Sequence, residues 1–121
     1  MLSENKVLYI LSRAPYSNAS GQEALDAALI GASFDLDVSI LFIHDGVFQL
    51  KQGQNSQAGG LKEFTKTYKA LEDFGIDKIY LHDLSLDARG LDKSELMCKV
   101  ITLDSQGVKK LIKKQITVLT F

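Results

Sequence analysis

The sequence holds a single cysteine, Cys98, in 121 residues. One thiol cannot close an intrachain disulfide or supply a cysteine-rich zinc site, and a chain so poor in cysteine suits a reducing compartment. Long apolar runs are missing as well. The longest, such as Val7 to Leu11, falls far short of the roughly 20 residues that a membrane helix needs. The stretch from Met1 to Lys6 carries an acid early and has no signal-like apolar core. A cytoplasmic protein with no membrane attachment is expected. Neither sign of charge is in excess: 14 Lys and Arg against 15 Asp and Glu leave a formal net charge of -1. That balance gives no bulk attraction for polyanions, so strong direct nucleic-acid binding by this chain alone is not expected. What is there is ordinary globular material, with 45% hydrophobic and 24% charged residues. The length fits one domain over residues 1–121, because two separate cores would each be too small to fold comfortably.

Five short segments rich in Val, Ile, Leu, Tyr and Phe read as strands: Val7–Leu11, Val38–Ile43, Lys78–Leu81, Lys99–Thr102 and Ile116–Thr120. Their near-continuous apolar character suits strands covered by helices on both faces. Three helical patterns lie between them. Ser20-Gly21-Gln22-Glu23 has capping-box form and leads into Ala24, Leu25, Ala28, Leu29 and Ala32 on one face. Leu61, Phe64, Tyr68 and Leu71 follow helical spacing and stop at Gly75, a natural left-handed C′ residue. The third pattern starts at Asp104, with Leu103 and Val108 placed as a hydrophobic staple. Its Lys109, Lys110, Lys113 and Lys114 suit the negative end of the helix dipole and read as a solvated face. A brief helix around Leu84–Arg89 makes the crossover into the fourth strand, and Gln52–Gly60 reads as a loop. Strands alternating with helices imply right-handed crossovers and a mostly parallel five-stranded sheet.

Ligands of such sheets bind beyond the carboxyl ends of the strands, which singles out three connections: Ser12–Ser20, His44–Leu50 and His82–Gly90. The first matches neither a phosphate-binding P-loop nor a dinucleotide glycine fingerprint and reads as turn and cap chemistry. The second, Asp45-Gly46-Val47-Phe48-Gln49-Leu50, places Val47, Phe48 and Leu50 in what should be a surface connection. Such residues either tuck under the domain or meet another chain, and Asp45, Gly46, Val47, Phe48 and Leu50 are the interface candidates, with Phe48 as anchor. The third begins His82-Asp83 and, with His44-Asp45, makes a repeated His-Asp pair. Two imidazoles and two carboxylates are groups that bind a metal or move protons. No third histidine exists, however, and Asp after a strand is a common turn residue, so the structural reading is preferred and no metal is expected. Cys98, at the start of a strand, reads as a small buried hydrophobe rather than a reactive thiolate.

Several segments together resemble the TusC/DsrF family. They are Ser12-Arg13-Ala14-Pro15, then residues 21–27, Phe42 through Leu50 with Gln52-Gly53-Gln54, Ser85-Leu86, Arg89-Gly90-Leu91, and Val118-Leu119-Thr120-Phe121. The likeness runs in order from about Lys6 to Phe121. It implies a DsrE-like three-layer α/β/α fold. It further implies an accessory, cofactor-free role beside TusB-like and TusD-like subunits in a dimer of heterotrimers. Such complexes relay persulfide sulfur toward 2-thiouridine at the wobble position of certain tRNAs, and the related Dsr complex serves sulfur oxidation. In the family the sulfur-carrying cysteine belongs to the TusD subunit, in the loop after its third strand. The corresponding loop here holds His82-Asp83-Leu84-Ser85, and Cys98 lies one element later. The carrier role therefore does not transfer to it, although a persulfide-carrying enzyme using Cys98 is the competing class of function.

Overall fold

Five strands, β1 (Lys6–Leu11), β2 (Asp37–Phe42), β3 (Lys78–His82), β4 (Ile101–Leu103) and β5 (Thr117–Thr120), form one sheet in the order β4-β3-β2-β1-β5. Every pairing is parallel. The computed structural model of the chain describes residues 5–14, 20–51, 71, 73, 75–96 and 99–121. Between the strands lie α1 (Ser20–Ser33), α2 (Asp83–Ala88) and α3 (Ser105–Lys113), with short 3-10 segments at His44–Leu50 and Lys93–Glu95. The expected helix from Leu61 to Leu71 and the loop at 52–60 lie outside the described residues, except for Leu71. Their exit is visible: Gly75 takes φ 82°, and the Ile76 amide donates to Leu71 O at 3.0 Å. That is the six-to-one bond of a Schellman turn, which needs a left-handed residue where glycine stands.

Strands β1 to β4 advance in one direction across the sheet, while β5 returns to the far side of β1. Right-handed crossovers then put α1 and α3 on opposite faces. The packing agrees. Ala24, Leu25 and Ala28 of α1 join Val7, Tyr9, Leu11, Ile40 and Phe42 in the larger core. Val108 and Leu111 of α3 join Leu8, Ile10 and Leu41 in a smaller one. Phe42, Leu8, Leu25, Ile40 and Leu41 are fully buried, each worth roughly 1.5–3 kcal/mol of hydrophobic stabilisation. The start of α3 is set as its sequence dictates: Asp104 Oδ1 accepts from the Gly107 amide at 2.7 Å, and Leu103 and Val108 share one cluster.

Two strand expectations need correction. The fourth strand lies at Ile101–Leu103 rather than 99–102, because its register is set by pairing Tyr80 with Ile101 and His82 with Leu103. The fifth is not covered on both faces. All four residues of β5 are exposed, since it pairs with β1 alone at the sheet edge. Among the described residues no helix is long and apolar enough to cross a membrane.

Candidate functional site

The carboxyl ends of β2 and β3 are neighbours, so the two His-Asp pairs do arrive at one end of the sheet. A serine joins them. The Ser85 hydroxyl accepts the His44 amide at 2.9 Å and stands 2.8 Å from His82 Nδ1. On the other side of the ring, His82 Nε2 is 3.0 Å from Ser105 Oγ. Either neutral tautomer satisfies both nitrogens, because each hydroxyl can donate to an unprotonated nitrogen or accept from a protonated one. His44 has φ 54°, a left-handed backbone that costs a residue with a side chain roughly 1–2 kcal/mol. The bond from its amide to Ser85 offsets part of that cost. Arg89 closes the group, with Nε donating to Asp45 Oδ1 at 2.9 Å and Nη1 donating to Ser85 O at 3.1 Å. The Asp45 carboxylate is largely in water, which limits that ion pair to about 1 kcal/mol or less.

This arrangement ties three segments together: the turn after β2, the start of α2, and the start of α3. A serine nucleophile needs access and a base aimed by a third group. Ser85 is buried, its oxygen already accepts a main-chain amide, and the far nitrogen of His82 meets a hydroxyl rather than a carboxylate. Asp83 Oδ1 is buried and unbonded among the described residues. Among those residues no group of three or more His, Cys, Asp or Glu is placed to hold a metal. Cys98 lies outside the described residues.

The 3-10 segment His44–Leu50 changes the meaning of the interface candidates. Val47 and Leu50 are completely buried in the larger core, and Gly46 and Gln49 are buried with them. These side chains therefore serve the chain's own interior, and Gly46, Val47 and Leu50 offer a partner no surface. The physical reason is Gly46. A Cβ there would sit 1.8 Å from Leu11 O, so only glycine lets this turn lie flat against the end of β1 and drop its apolar neighbours inward. Gln49 fastens the same contact by donating to Arg13 O at 3.1 Å. Asp45 remains exposed and Phe48 half-buried. Neither Ser105 nor the exposed apolar side chains Ile30, Phe34 and Leu84 stood out along the chain. Ile30 lies off the Ala24–Leu25–Ala28 stripe of α1, and Phe34 follows four residues later, just past the helix end, a spacing that was the available signal.

The DsrE/DsrF-like family model matches residues 5–121. The chain belongs to the DsrE/DsrF-like family. One relative is the intracellular sulfur oxidation protein DsrF of Allochromatium vinosum, 45% identical over 92 residues, or 76% of this chain and 68% of that one. The TusC homolog of Pseudomonas aeruginosa is 41% identical over 114 residues, covering 93% of this chain and 96% of its own. The crystal structure of the ychN protein from E. coli superposes with a TM-score of 0.82 at 21% identity, over 97% of this chain and 99% of that one. That likeness confirms the DsrE-like α/β fold, with its five-stranded parallel sheet between helical layers.

Proposed function

We propose that this chain is a non-catalytic subunit of a sulfur relay complex. It docks TusB-like and TusD-like subunits in a dimer of heterotrimers and supports persulfide transfer for 2-thiouridine formation at the tRNA wobble position. The observation that carries the reading, given the family, is the end of β3. Where a carrier subunit needs a thiol, this chain presents His82 and Ser85, and it spends both on holding its own turns together. Surface chemistry is consistent with docking: Ile30, Phe34 and Leu84 are 58%, 75% and 58% exposed. Side chains of this kind are available for a partner to cover. Asp45 and Phe48 lie at the same strand ends as Leu84 and remain the interface candidates of the 3-10 segment.

The test is native mass spectrometry of the tagged chain recovered from its own host, paired with nucleoside analysis of tRNA after deletion of its gene. Recovery with two other subunits of similar size and loss of 2-thiouridine is the expected result. Recovery alone or as a homo-oligomer overturns the proposal. A second reading, the same architecture in sulfur oxidation, is favoured by the 45% identity to a protein named for that process. It requires unchanged 2-thiouridine and impaired oxidation of intracellular sulfur. A one-sulfur mass gain at Cys98 after incubation with a persulfide donor would instead make this chain a carrier.

A further inference from the structure

The opposite end of the sheet holds a cavity that the docking role does not use. It lies between α3 and the amino ends of β1, β2 and β3, with a volume of about 310 Å³. The topology gathers its charges from distant parts of the chain. Lys6, Asp37 and Lys78 each open a strand, and the parallel register sets Lys6 beside Asp37 and Ser39 beside Lys78. Lys110 and Lys114 come down from the end of α3.

Four lysines and one carboxylate line the cavity among the described residues, a surplus of three positive charges. Asp37 is already engaged, with both its oxygens accepting from Lys78 Nζ at 2.8 and 3.0 Å. Lys6, Lys110 and Lys114 thus face a space with no second carboxylate among the described lining. The carboxyl end of α3 opposes an anion with only about half an elementary charge, so the lysines decide the sign. The interior is not merely cationic. Ser39 is 4% exposed and lines the cavity. Gln115 lines the cavity too, its side chain fixed by donating Nε2 to Leu111 O at 3.1 Å.

We propose that this cavity binds a phosphate-class oxyanion, either free phosphate or the terminal group of a small phosphomonoester. The lysines hold the charged oxygens, and the Ser39 hydroxyl, a group that can donate, stands in the same lining. A monovalent anion such as chloride sets a single charge against the surplus of three. An extended polyanion needs an open track rather than a recess.

The experiment uses the full chain with whatever subunits copurify, at constant ionic strength maintained with chloride. Inorganic phosphate, a nucleoside 5′-monophosphate and a short single-stranded RNA are titrated while amide resonances of Tyr80, Gly107 and Gln115 are followed. Saturable shifts with a Kd on the order of 1 mM or tighter are expected for phosphate or the monophosphate. The stronger of the two identifies which source the site prefers. Lys110→Gln with Lys114→Gln should weaken binding about tenfold or more, as loss of charge-assisted contacts implies. The same double change at Lys109 and Lys113, on α3 but outside the cavity lining, should leave it within about twofold. Absence of saturation, equal losses for both lysine pairs, or binding of the RNA alone would overturn the proposal.

Discussion

Replacing Gly46 by alanine tests the reasoning that assigns the 3-10 segment to the interior. The new Cβ would lie 1.8 Å from Leu11 O, 2.5 Å from Leu11 C and 3.1 Å from Ser12 N. These are backbone atoms at the end of β1 and just past it, so no side chain can swing aside to make room. The turn or the strand end must move by more than 1 Å, because ordinary carbon–oxygen contact is near 3.3–3.6 Å. If the turn lifts, Val47 and Leu50 leave positions of complete burial, each worth about 1.5–3 kcal/mol. If it holds, overpacking costs about 1–3 kcal/mol. The expected loss lies between these limits, at about 2–5 kcal/mol. Urea unfolding followed by circular dichroism gives the value directly, and the lower midpoint should come with little change in slope. A Gly46→Ala protein within about 0.5 kcal/mol of the parent would refute the claim that a glycine-dependent approach to β1 seats this segment.

Ser85→Ala should destabilise by about 1–3 kcal/mol, because the His44 amide and one nitrogen of His82 lose their shared partner; an unchanged urea midpoint would refute the bridging role. Alkaline pH should weaken the fold. Burial holds the Tyr9 phenol above its ordinary value of 10.0, so the unfolded chain gives up that proton first. Its contribution is whole below pH 10.0 and drains away as pH rises through the higher folded value. Lys78, raised by its hydrogen bond to Asp37, acts in the same direction. A Tyr9→Phe variant should therefore show a shallower decline in midpoint from pH 9 to pH 11, and an identical decline would exclude Tyr9 as a source. Phe34→Asp and Phe48→Asp should abolish copurification of partner subunits; because Phe34 is so exposed, its variant should unfold within about 0.5 kcal/mol of the parent. Intact assembly in both would remove these side chains from the interface.

Much of this architecture was legible along the chain because local chemistry and the final fold agree. The Asp104 cap with its Leu103–Val108 staple and the turn at Gly75 are short-range devices whose partners lie within a few residues. Strand positions followed from apolar content to within one or two residues. What stayed hidden depends on long-range register. Val47 and Leu50 have the same composition whether they meet a partner or their own core, and only the approach of Gly46 to Leu11 decides between the two. The apolar make-up of residues 116–120 suggested two covered faces, yet the strand order places them at an edge. Ser105 became a partner of His82 only when β3 and β4 paired. The lysines of α3 read as a plain solvated face because Lys6 and Lys78, far away in sequence, give no hint of converging on the same recess.

The pairing of β5 with β1 also has a consequence for the order in which the protein can be made. Ser12 bonds to Phe121 O through both its amide and its hydroxyl, at 2.9 Å each, across 109 positions. Strand β1 emerges first from the ribosome, while β5, which covers its outer edge, emerges last of the five. Until then β1 exposes a row of unpaired amides and carbonyls beside apolar side chains, the kind of surface that templates aggregation. Completion of the sheet thus waits for β5 and is an event of high contact order, and a nascent chain stalled before Thr117 would keep a bare, sticky strand edge.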